Sequence, residues 1–475
     1  MKSFRIISSF IIYTLIGQAA SAQNTNLDTL ILLRMQETNT PGVSAVILKK
    51  GIPVWEKNYG LARISNNINV KDSTIFFLSS VSQTILCAAV MKEWEDSLLS
   101  IDVDINRYLP FHVANSFHKN DPGDTITLRQ LLAHVSSVRD NGSVLNSVYS
   151  LGDDTMPLGT FLQNYFVPSG QFYDSTKNFY PYVPGKTFNV SNIGTDLAAY
   201  VLESVTHVPF DTFCMQNIFV PLCMDNTSWH LAGLDSNWLA KPYSFKGSTY
   251  TAIQQYGFPD YPHGELRTTA RSLARFLAMM INSGFFNNNR ILKATTVTKI
   301  LTPQFTSKNP GQGLIWSQDT FGIRTCWGIT GNDKGASTNM FMYDPDTSGI
   351  ILLANSDSFY PADVIDSMFT LAKRLEPGKN ANFNCDAGPT AISPVPDYYK
   401  TIFPNPAHVF ITVEQTGNNP VQEILIFSAD GKVMLNEKLS QSGNRQISVA
   451  HLANGIYFMK LIFQNQVQTI PFIKN

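Results

Sequence analysis

The sequence predicts an α+β domain followed by a small all-β sandwich. Strand-like runs stand near both ends of the first 375 residues and bracket a longer stretch of amphipathic, helix-like segments. The composition changes once, near residue 376, into a stretch rich in Pro, Asn and Ala. Short β-type runs at regular spacing fill the rest of the chain, and this spacing is typical of a sandwich.

The first domain begins and ends with strands that we assign to one sheet. Runs with strand character cover 43–48, 54–59 and 350–354, and amphipathic helix-like stretches cover 128–133 and 272–281. Lys50 and Gly51 form the turn between the first two strands. The continuous apolar run at 350–354 is typical of a buried strand of the same sheet. The order of elements therefore predicts a sheet built from both ends of the domain, with a helical subdomain inserted between them.

The second domain is predicted to cover 397–475, after a linker at 376–396. Its β-type runs cover 409–413, 424–427, 432–435, 447–449 and 456–463. Asp430-Gly431 is a hairpin turn signal, and Asn454-Gly455 indicates another turn.

Charge and cysteine content exclude several classes of protein. The 475 residues hold 35 Lys and Arg against 36 Asp and Glu, a balance that does not suit a nucleic-acid binder. Neither histidines nor cysteines show metal-ligand spacing, so the sequence predicts no metal and no cofactor. Five scattered cysteines are not a disulfide framework, although Cys214 and Cys223 are near enough in sequence for a bridge in an oxidising compartment.

The N-terminus has the pattern of a secretory signal peptide over residues 1–22. Lys2 and Arg5 precede an apolar stretch at 6–17, and Ala20-Ser21-Ala22 offers small residues for cleavage. A membrane anchor is the weaker alternative, because the apolar stretch is short and polar residues follow it at once. No later stretch approaches about 20 apolar residues, so we expect no transmembrane helix.

Ser80 stands where a strand-like run gives way to a helix. A serine in that place usually caps the helix, but six further segments change the interpretation. They are PGVSAVILKKG (41–51), YGLA (59–62), INRYLP (105–110), ITLRQLLAHVSS (126–137), VPGKTFNVSNIG (183–194) and GITGNDKGAS (328–337). With these segments in this order, residues 30–373 resemble the serine β-lactamase, penicillin-binding and class C-type esterase family. The resemblance implies that family's fold, a sheet with a helical subdomain, and an acyl-transfer site with Ser80 as nucleophile.

The resemblance also implies that most of the catalytic side chains have been replaced. In the family, an SxxK lysine and a YxN tyrosine handle protons, and a KTG or HTG cation lies near the substrate carboxylate. Those three positions are Gln83, Val190 and Ile329 in this chain.

Four residues match the substrate-binding elements of the same family. Asn192 matches the YxN asparagine, Thr330 and Gly331 match the end of KTG, and the N–H of Asn332 would join that of Ser80 in an oxyanion hole.

These replacements predict a catalytically degenerate protein that uses the cleft to bind a ligand. A serine hydroxyl needs a neighbouring base, and the amide of Gln83 is not basic. The expected ligand is a peptide-like or ester small molecule or a cell-wall fragment. Because the cleft has lost the family's cation, we do not expect the ligand to bind through a carboxylate. An active serine hydrolase (an esterase, D-Ala-peptidase or β-lactamase-like enzyme) with a non-standard base is the alternative, and a scaffold that binds a partner only through surface loops is a third.

Several other residues near the motifs have possible roles in the site. The candidates for a replacement base are Lys186, His263, Asp333 and Lys334. His134 is interpreted as structural, and Ser137 stands where the family usually has a glycine in a turn.

The last domain resembles a type IX secretion sorting domain. The matching segments are FPNPAHVFITV (403–413), IFSADGKVM (426–434), ISVAHLANGIYFMKLIF (447–463) and the terminal IPFIKN. The resemblance implies the type IX secretion machinery as a partner and export through the periplasm to the cell surface or the extracellular space. An ordinary carbohydrate-binding or Ig-like sandwich is the alternative.

Overall fold

The chain divides into two compact units, Met1–Gly388 and Pro389–Asn475. The computed structural model describes residues 27–118, 123–287, 289–378, 383, 402–403, 407–413, 421–428, 432–438, 445–462 and 467–474. The predicted signal peptide, nearly all of the predicted linker and the Asp430-Gly431 turn lie outside the described residues.

Ten α-helices and 22 strands are described in these ranges, beside several short 3-10 and π turns. The helices are α1 (27–37), α2 (Ser82–Glu95), α3 (Leu128–Leu132), α4 (Gly142–Leu145), α5 (Leu158–Phe166), α6 (Asn192–Thr206), α7 (Phe210–Cys214), α8 (Ala270–Ile281), α9 (Ala294–Ile300) and α10 (Ala362–Ala372). The strands of the first unit are β1 (Gly42–Lys49), β2 (Ile52–Arg63), β3 (Ile68–Asn69), β4 (Ile75–Phe77), β5 (Ser150–Leu151), β6 (Tyr243–Lys246), β7 (Thr249–Ala252), β8 (Tyr256–Gly257), β9 (Arg267–Thr269), β10 (Phe285–Phe286), β11 (Asn289–Arg290), β12 (Ser317–Phe321), β13 (Arg324–Asp333), β14 (Ala336–Tyr343) and β15 (Ser348–Ala354). Those of the second are β16 (Ile402–Phe403), β17 (Phe410–Val413), β18 (Glu423–Ser428), β19 (Val433–Lys438), β20 (Arg445–Ser448), β21 (Gly455–Ile462) and β22 (Val467–Lys474).

The main sheet joins the two ends of the first unit, as the sequence predicts. Its seven strands are antiparallel and have the order β12-β13-β14-β15-β1-β2-β3. The predicted turn between β1 and β2 is present, with left-handed φ values of 53° at Lys50 and 70° at Gly51. The apolar run at 350–354 is the buried strand β15, which lies between β14 and β1.

Alternate side chains of β1 pack into two different cores, which explains why the whole strand is apolar. Val46 and Leu48 belong to the larger core, which also contains α2, α6 and α8. Val43, Ala45 and Ile47 face the other way, against α1 and α10. A strand that is covered on both faces by helices reads as a continuous hydrophobic run.

Helix α2 lies in the middle of the larger core, and the turn that contains Ser80 directly precedes its N-terminus. Ile85, Leu86, Ala89 and Val90 are fully buried, so the helix is covered on several sides. A helix of that kind has no single apolar stripe.

The two predicted helices are confirmed as α3 and α8, which begin at the caps Thr127 and Thr269.

The second unit is a small β-sandwich, as predicted. One sheet has the order β16-β17-β20 and the other the order β19-β18-β21-β22. Ile411 and Ile447 of the first sheet pack with Ile424, Met459 and Phe472 of the second in one core. Across the described part of the chain, no helix is both long and apolar enough to span a membrane.

Candidate functional site

Ser80 lies in a tight turn between β4 and α2 that is held on both sides. The turn is a single 3-10 turn, Ser79–Val81, and Ser80 itself is partly exposed. The backbone N–H of Leu78 donates to the carbonyl of Leu266 at 2.8 Å. The N–H of Leu266 in turn donates to Oγ of Ser82 at 3.2 Å. Leu266 therefore fixes the backbone two residues before Ser80 and the side chain two residues after it.

Strand β13 approaches this turn so closely that only glycine fits at position 331. A Cβ on Gly331 would lie 2.6 Å from the Leu78 carbonyl oxygen and 3.0 Å from Cβ of Ser79. Thr338, the β14 residue paired with Gly331, donates its hydroxyl to the Leu78 carbonyl at 2.6 Å. Asn332 is the next residue of β13, and it is the one to which the resemblance assigns the oxyanion-hole N–H.

Gln83 and Asn192 meet, although they are far apart in sequence. The Gln83 amide Nε2 donates to Oδ1 of Asn192 at 3.0 Å, and Gln83 is 2% exposed. Gln83 lies one helical turn after Ser80, so the contact places a neutral amide where the family has a lysine. An amide group has no useful basicity.

Asp140 fixes the position of Asn192, and sequence reasoning did not find it. Its carboxylate accepts from the Ser191 hydroxyl at 2.8 Å and from the backbone N–H groups of Asn192 and Ile193 at 3.0 and 3.2 Å. A carboxylate at a helix N-terminus is favoured by the unpaired N–H groups and by the helix dipole. No local motif marks Asp140, because its partners lie about 50 residues later in the chain.

The other two replaced positions carry apolar side chains in different settings. Val190 is 58% exposed, two residues before Asn192. Ile329 is partly buried and packs against the larger core. Thr330 is exposed and donates its hydroxyl to Oδ1 of Asn339 at 3.1 Å. Neither Val190 nor Ile329 can move a proton or bind a carboxylate.

His263 belongs to a buried cluster with Asp196 and Asp260. The sequence had indicated His263 as a candidate, but not the two aspartates. Its Nδ1 lies 2.9 Å from Oδ2 of Asp196 and 3.8 Å from Oδ2 of Asp260. The backbone N–H of His263 donates to the other oxygen of Asp196 at 2.8 Å. Asp196 lies one turn after Asn192 on α6, so the cluster is next to the Gln83–Asn192 pair. In the sequence, Asp196 is one of several polar residues of α6, and no motif marks it.

The pKa values of all three groups in the cluster are raised. Burial raises the pKa of Asp196 to about 7 and that of Asp260 to about 6, against the attraction of His263. Burial alone would lower the pKa of His263, but the charges of Asp196, Asp260 and Asp140 and a hydrogen bond raise it to about 10. His263 is therefore a buried cation at neutral pH.

The other candidate bases are surface charges. Lys186 is exposed and has no ion pair within the ranges given above. Lys334 is also exposed, and its Nζ lies 3.4 Å from the centre of the Tyr149 ring. The Tyr149 hydroxyl donates to the carboxylate of Asp333 at 3.3 Å.

His134 and Ser137 have the surroundings of structural residues. Nδ1 of His134 accepts the backbone N–H of Ser191 at 3.4 Å, and burial lowers the pKa of His134 to about 4. Ser137 keeps a left-handed turn, with φ of 64°, at the position where the family usually has glycine. Its hydroxyl accepts from the Asn115 amide at 2.8 Å.

We expect Ser79→Gly to stabilise the protein by about 1–2 kcal/mol. Ser79 has a left-handed φ of 51°, and its buried hydroxyl finds no hydrogen-bond partner in the part of the chain that is described. Glycine removes both the backbone strain and the unpaired polar group, at some cost in chain entropy. Urea unfolding would measure the change.

Ser97→Gly is the matched control for that variant. Ser97 has a similar φ of 64° but an exposed side chain, so only the backbone effect should appear. If Ser79→Gly is no more stabilising than Ser97→Gly, the buried hydroxyl costs nothing and our interpretation of it is wrong.

The bridge between Cys214 and Cys223 that the sequence left open is not formed. Cys214 is a buried free thiol, whereas Cys223 is disulfide-bonded. Cys214 lies in α7 with its side chain in the larger core. Nearness in sequence was therefore a poor guide to the pairing of Cys223.

Comparison with known proteins agrees with the fold and with the two-domain composition. A family model described as beta-lactamase matches residues 27–373, and one described as a secretion system C-terminal sorting domain matches residues 401–475. Residues of this chain are 24% identical over 262 positions to Protein flp of Staphylococcus aureus (strain MRSA252), covering 54% of the chain and 48% of that protein. The identity to the mitochondrial serine beta-lactamase-like protein LACTB of Bos taurus is 26% over 120 residues, or 25% of the chain and 21% of that protein. The chain thus spans half or less of the length of these relatives.

Solved structures share the fold at low sequence identity. The octameric penicillin-binding protein homologue from Pyrococcus abyssi superposes with a TM-score of 0.58 at 18% identity, covering 94% of this chain and 90% of that one. The D-amino acid amidase from Ochrobactrum anthropi superposes with a TM-score of 0.59 at 18% identity, covering 74% of this chain and 99% of that one. These similarities concern the fold alone. With the family model covering most of its length, the chain belongs to the beta-lactamase family and carries a type IX C-terminal sorting domain.

Proposed function

We propose that this is an exported, catalytically degenerate member of the beta-lactamase family that binds a small neutral ligand in the cleft beside Ser80. The observation that carries the proposal is the hydrogen bond from Gln83 to Asn192. The position from which a base would take the proton of Ser80 is therefore occupied by two neutral side-chain amides. Loss of a nucleophile–base unit costs up to about 10⁶ in rate.

The export part of the proposal rests on the sorting domain. A tail of this type indicates delivery to the cell surface or the extracellular space through the type IX machinery. The predicted signal peptide at 1–22 would supply passage across the inner membrane first. The domain limits that we propose are 23–375 for the binding domain and 397–475 for the sorting domain.

The proposed ligand class follows from Ile329 and from the donors that remain. Asn192, Thr330 and the backbone N–H groups of Ser80 and Asn332 provide neutral hydrogen-bonding groups for a peptide-like or ester carbonyl. Ile329 offers no charge to a carboxylate, and burying an unpaired carboxylate against it would be costly. A neutral ligand is therefore favoured over an acid of the same shape.

A matched pair of probes tests this proposal on the full chain by isothermal titration calorimetry. N-acetyl-D-alanyl-D-alanine carries a free carboxylate, and its carboxamide is neutral but nearly the same size. We expect the carboxamide to bind more tightly to the wild type, and we expect Ile329→His to shift the preference toward the acid. Tighter binding of the free acid by the wild type, or no binding of either probe, would contradict the proposal.

A second candidate function is an active hydrolase that uses His263 as base. The contact between Nδ1 of His263 and Asp196 favours it, because a base oriented by a carboxylate is the usual partner of a nucleophilic serine. Its weakness is the raised pKa of His263, which keeps the imidazole protonated at neutral pH. Acylation of Ser80 that increases with pH toward about 10 would support this second function.

A further inference from the structure

We propose that Asp196, Asp260 and His263 form a binding site for one divalent transition-metal ion such as zinc, one helical turn from Asn192. The three ligand atoms, one from each side chain, all lie within 4.8 Å of one another. They come from α6 and from the segment at 260–263, which the chain separates by more than 60 residues. The sequence predicted no metal because it contains no local ligand motif. The proposed site does not depend on such a motif, since its ligands come from distant parts of the chain.

The distances between the ligand atoms suit a shared ion. Nδ1 of His263 is 2.9 Å from the Asp196 oxygen and 3.8 Å from the Asp260 oxygen. Zinc lies about 2.0–2.2 Å from nitrogen and carboxylate ligands, which places its ligand atoms roughly 3–4 Å apart. The pair at 3.8 Å already has that separation, and the hydrogen-bonded pair at 2.9 Å would open slightly on binding. Zinc accepts both imidazole nitrogen and carboxylate oxygen as ligands, and its sites with three protein ligands leave a fourth position for water.

The burial of the two carboxylates is a separate reason to expect a cation. Asp196 is 0% exposed and Asp260 is 2% exposed. Within the described ranges, His263 is the only cation at ion-pair distance from either of them. The nearby buried Arg267 is already engaged by Glu265. Two buried carboxylates thus share one imidazole, so the cluster has one negative charge more than positive charges when all three groups are ionised. A buried charge without a partner is strongly unfavourable unless it is neutralised or binds a metal.

Asp260 in particular lacks a good partner of its own. Its carboxylate receives a hydrogen bond from its own backbone N–H, and the His263 nitrogen lies 3.8 Å away, beyond hydrogen-bond distance. This separation is too long for a hydrogen bond and is one that two ligands of the same ion can have. The side chain of His263 is 12% exposed, so an ion can reach the cluster from that side.

A bound ion would stabilise the position of α6 beside Gln83. Asp196 lies one helical turn after Asn192, and Asn192 accepts the hydrogen bond from Gln83. An ion that joins Asp196 to Asp260 and His263 would therefore fix α6 against the segment that hydrogen-bonds on both sides of Ser80. Coordination requires Nδ1 of His263 to release its proton to solvent, so binding should strengthen as the pH increases.

Metal uptake by the untagged full chain tests this proposal. The protein is stripped with a chelator, dialysed against Zn²⁺ and analysed for metal by mass spectrometry. We expect one zinc per chain in the wild type and at least a tenfold weaker affinity in Asp260→Asn, which keeps the Asp196–His263 pair. His230→Gln is the matched control, because it removes a histidine that lies 3.7 Å from Asp211 at a more exposed position. Equal uptake by the wild type and Asp260→Asn would overturn the site.

Cobalt substitution in the wild type gives a test that needs no variant. Co²⁺ in a nitrogen and oxygen site of low coordination number shows visible d–d absorption without the near-ultraviolet charge-transfer band of a thiolate ligand. We expect that spectrum, and we expect Zn²⁺ to abolish it. A stripped, folded protein that takes up neither ion would show that the cluster is only an ion pair. Neither readout depends on acylation of Ser80, so the result is independent of the proposed function.

Discussion

The double variant Gln83→Lys/Val190→Tyr is expected to acylate Ser80 about 10²–10⁴ times faster than the wild type. A lysine at position 83 would lie one helical turn after Ser80, next to Oδ1 of Asn192, which now accepts from Gln83. Burial of this position, which is 2% exposed, would lower the pKa of the new amine and make its neutral form accessible. Val190 is largely exposed, so a tyrosine ring meets little steric hindrance there. The rate constant with a fluorophosphonate, followed by intact mass, measures the gain.

Two controls make this experiment specific. Ser80→Ala in the same background should form no adduct. Gln83→Met/Val190→Tyr fills the same space and keeps the tyrosine but lacks the lysine amine, and it should stay as slow as the wild type. A folded lysine variant that reacts no faster than the methionine variant would mean that a missing base is not what limits Ser80.

His263→Gln is expected to cost about 3–5 kcal/mol of unfolding free energy at pH 8. The substitution removes the only cation beside Asp196 and Asp260 within the described part of the chain and leaves two buried carboxylates. The loss should be smaller at pH 5, because both carboxyl groups have raised pKa values and take up protons when the pH is lowered. Urea unfolding with a chelator present, so that no metal contributes, measures the loss at each pH.

The neutral triple variant Asp196→Asn/Asp260→Asn/His263→Gln is the control for charge. It keeps the shapes of the two aspartates, carries the same glutamine as His263→Gln and removes all three titrations, so it should be more stable than His263→Gln at pH 8. The pKa of His263 is raised above its unfolded value of about 6.5. Its contribution to wild-type stability is therefore complete below pH 6.5 and is lost as the pH increases through about 10. A stability difference between wild type and triple variant that grows over that range would contradict this assignment.

The sequence predicted the fold well because most of the signals are local. The run at 43–48 and the run at 350–354 have the apolar character of strands covered on both faces, and they pair as β1 and β15. The strand runs of the second domain likewise correspond to β17–β21. Cys223 was the exception, because a disulfide depends on distances in the folded chain.

The candidate site was only partly predictable, for the same physical reason. Ser80 and Gln83 are one helical turn apart, and Asn192 belongs to a second short motif, so family resemblance placed all three. Asp140, Asp196 and Asp260 have no such motif. Their partners come from segments that are distant in sequence, and a lone aspartate in a helix or loop usually faces solvent. Only the folded structure brings them to the N-terminus of α6 and to His263.

We infer that Ser80 has no working base, and intact-mass analysis of the wild-type protein is the decisive experiment. The full chain is incubated with a fluorophosphonate and, separately, with a reporter penicillin at neutral pH, beside Ser80→Ala. Circular dichroism confirms that both proteins are folded. We expect both the wild type and Ser80→Ala to keep their unmodified mass. An adduct on the wild type that Ser80→Ala does not form would contradict it and would make His263 the first residue to test as the base.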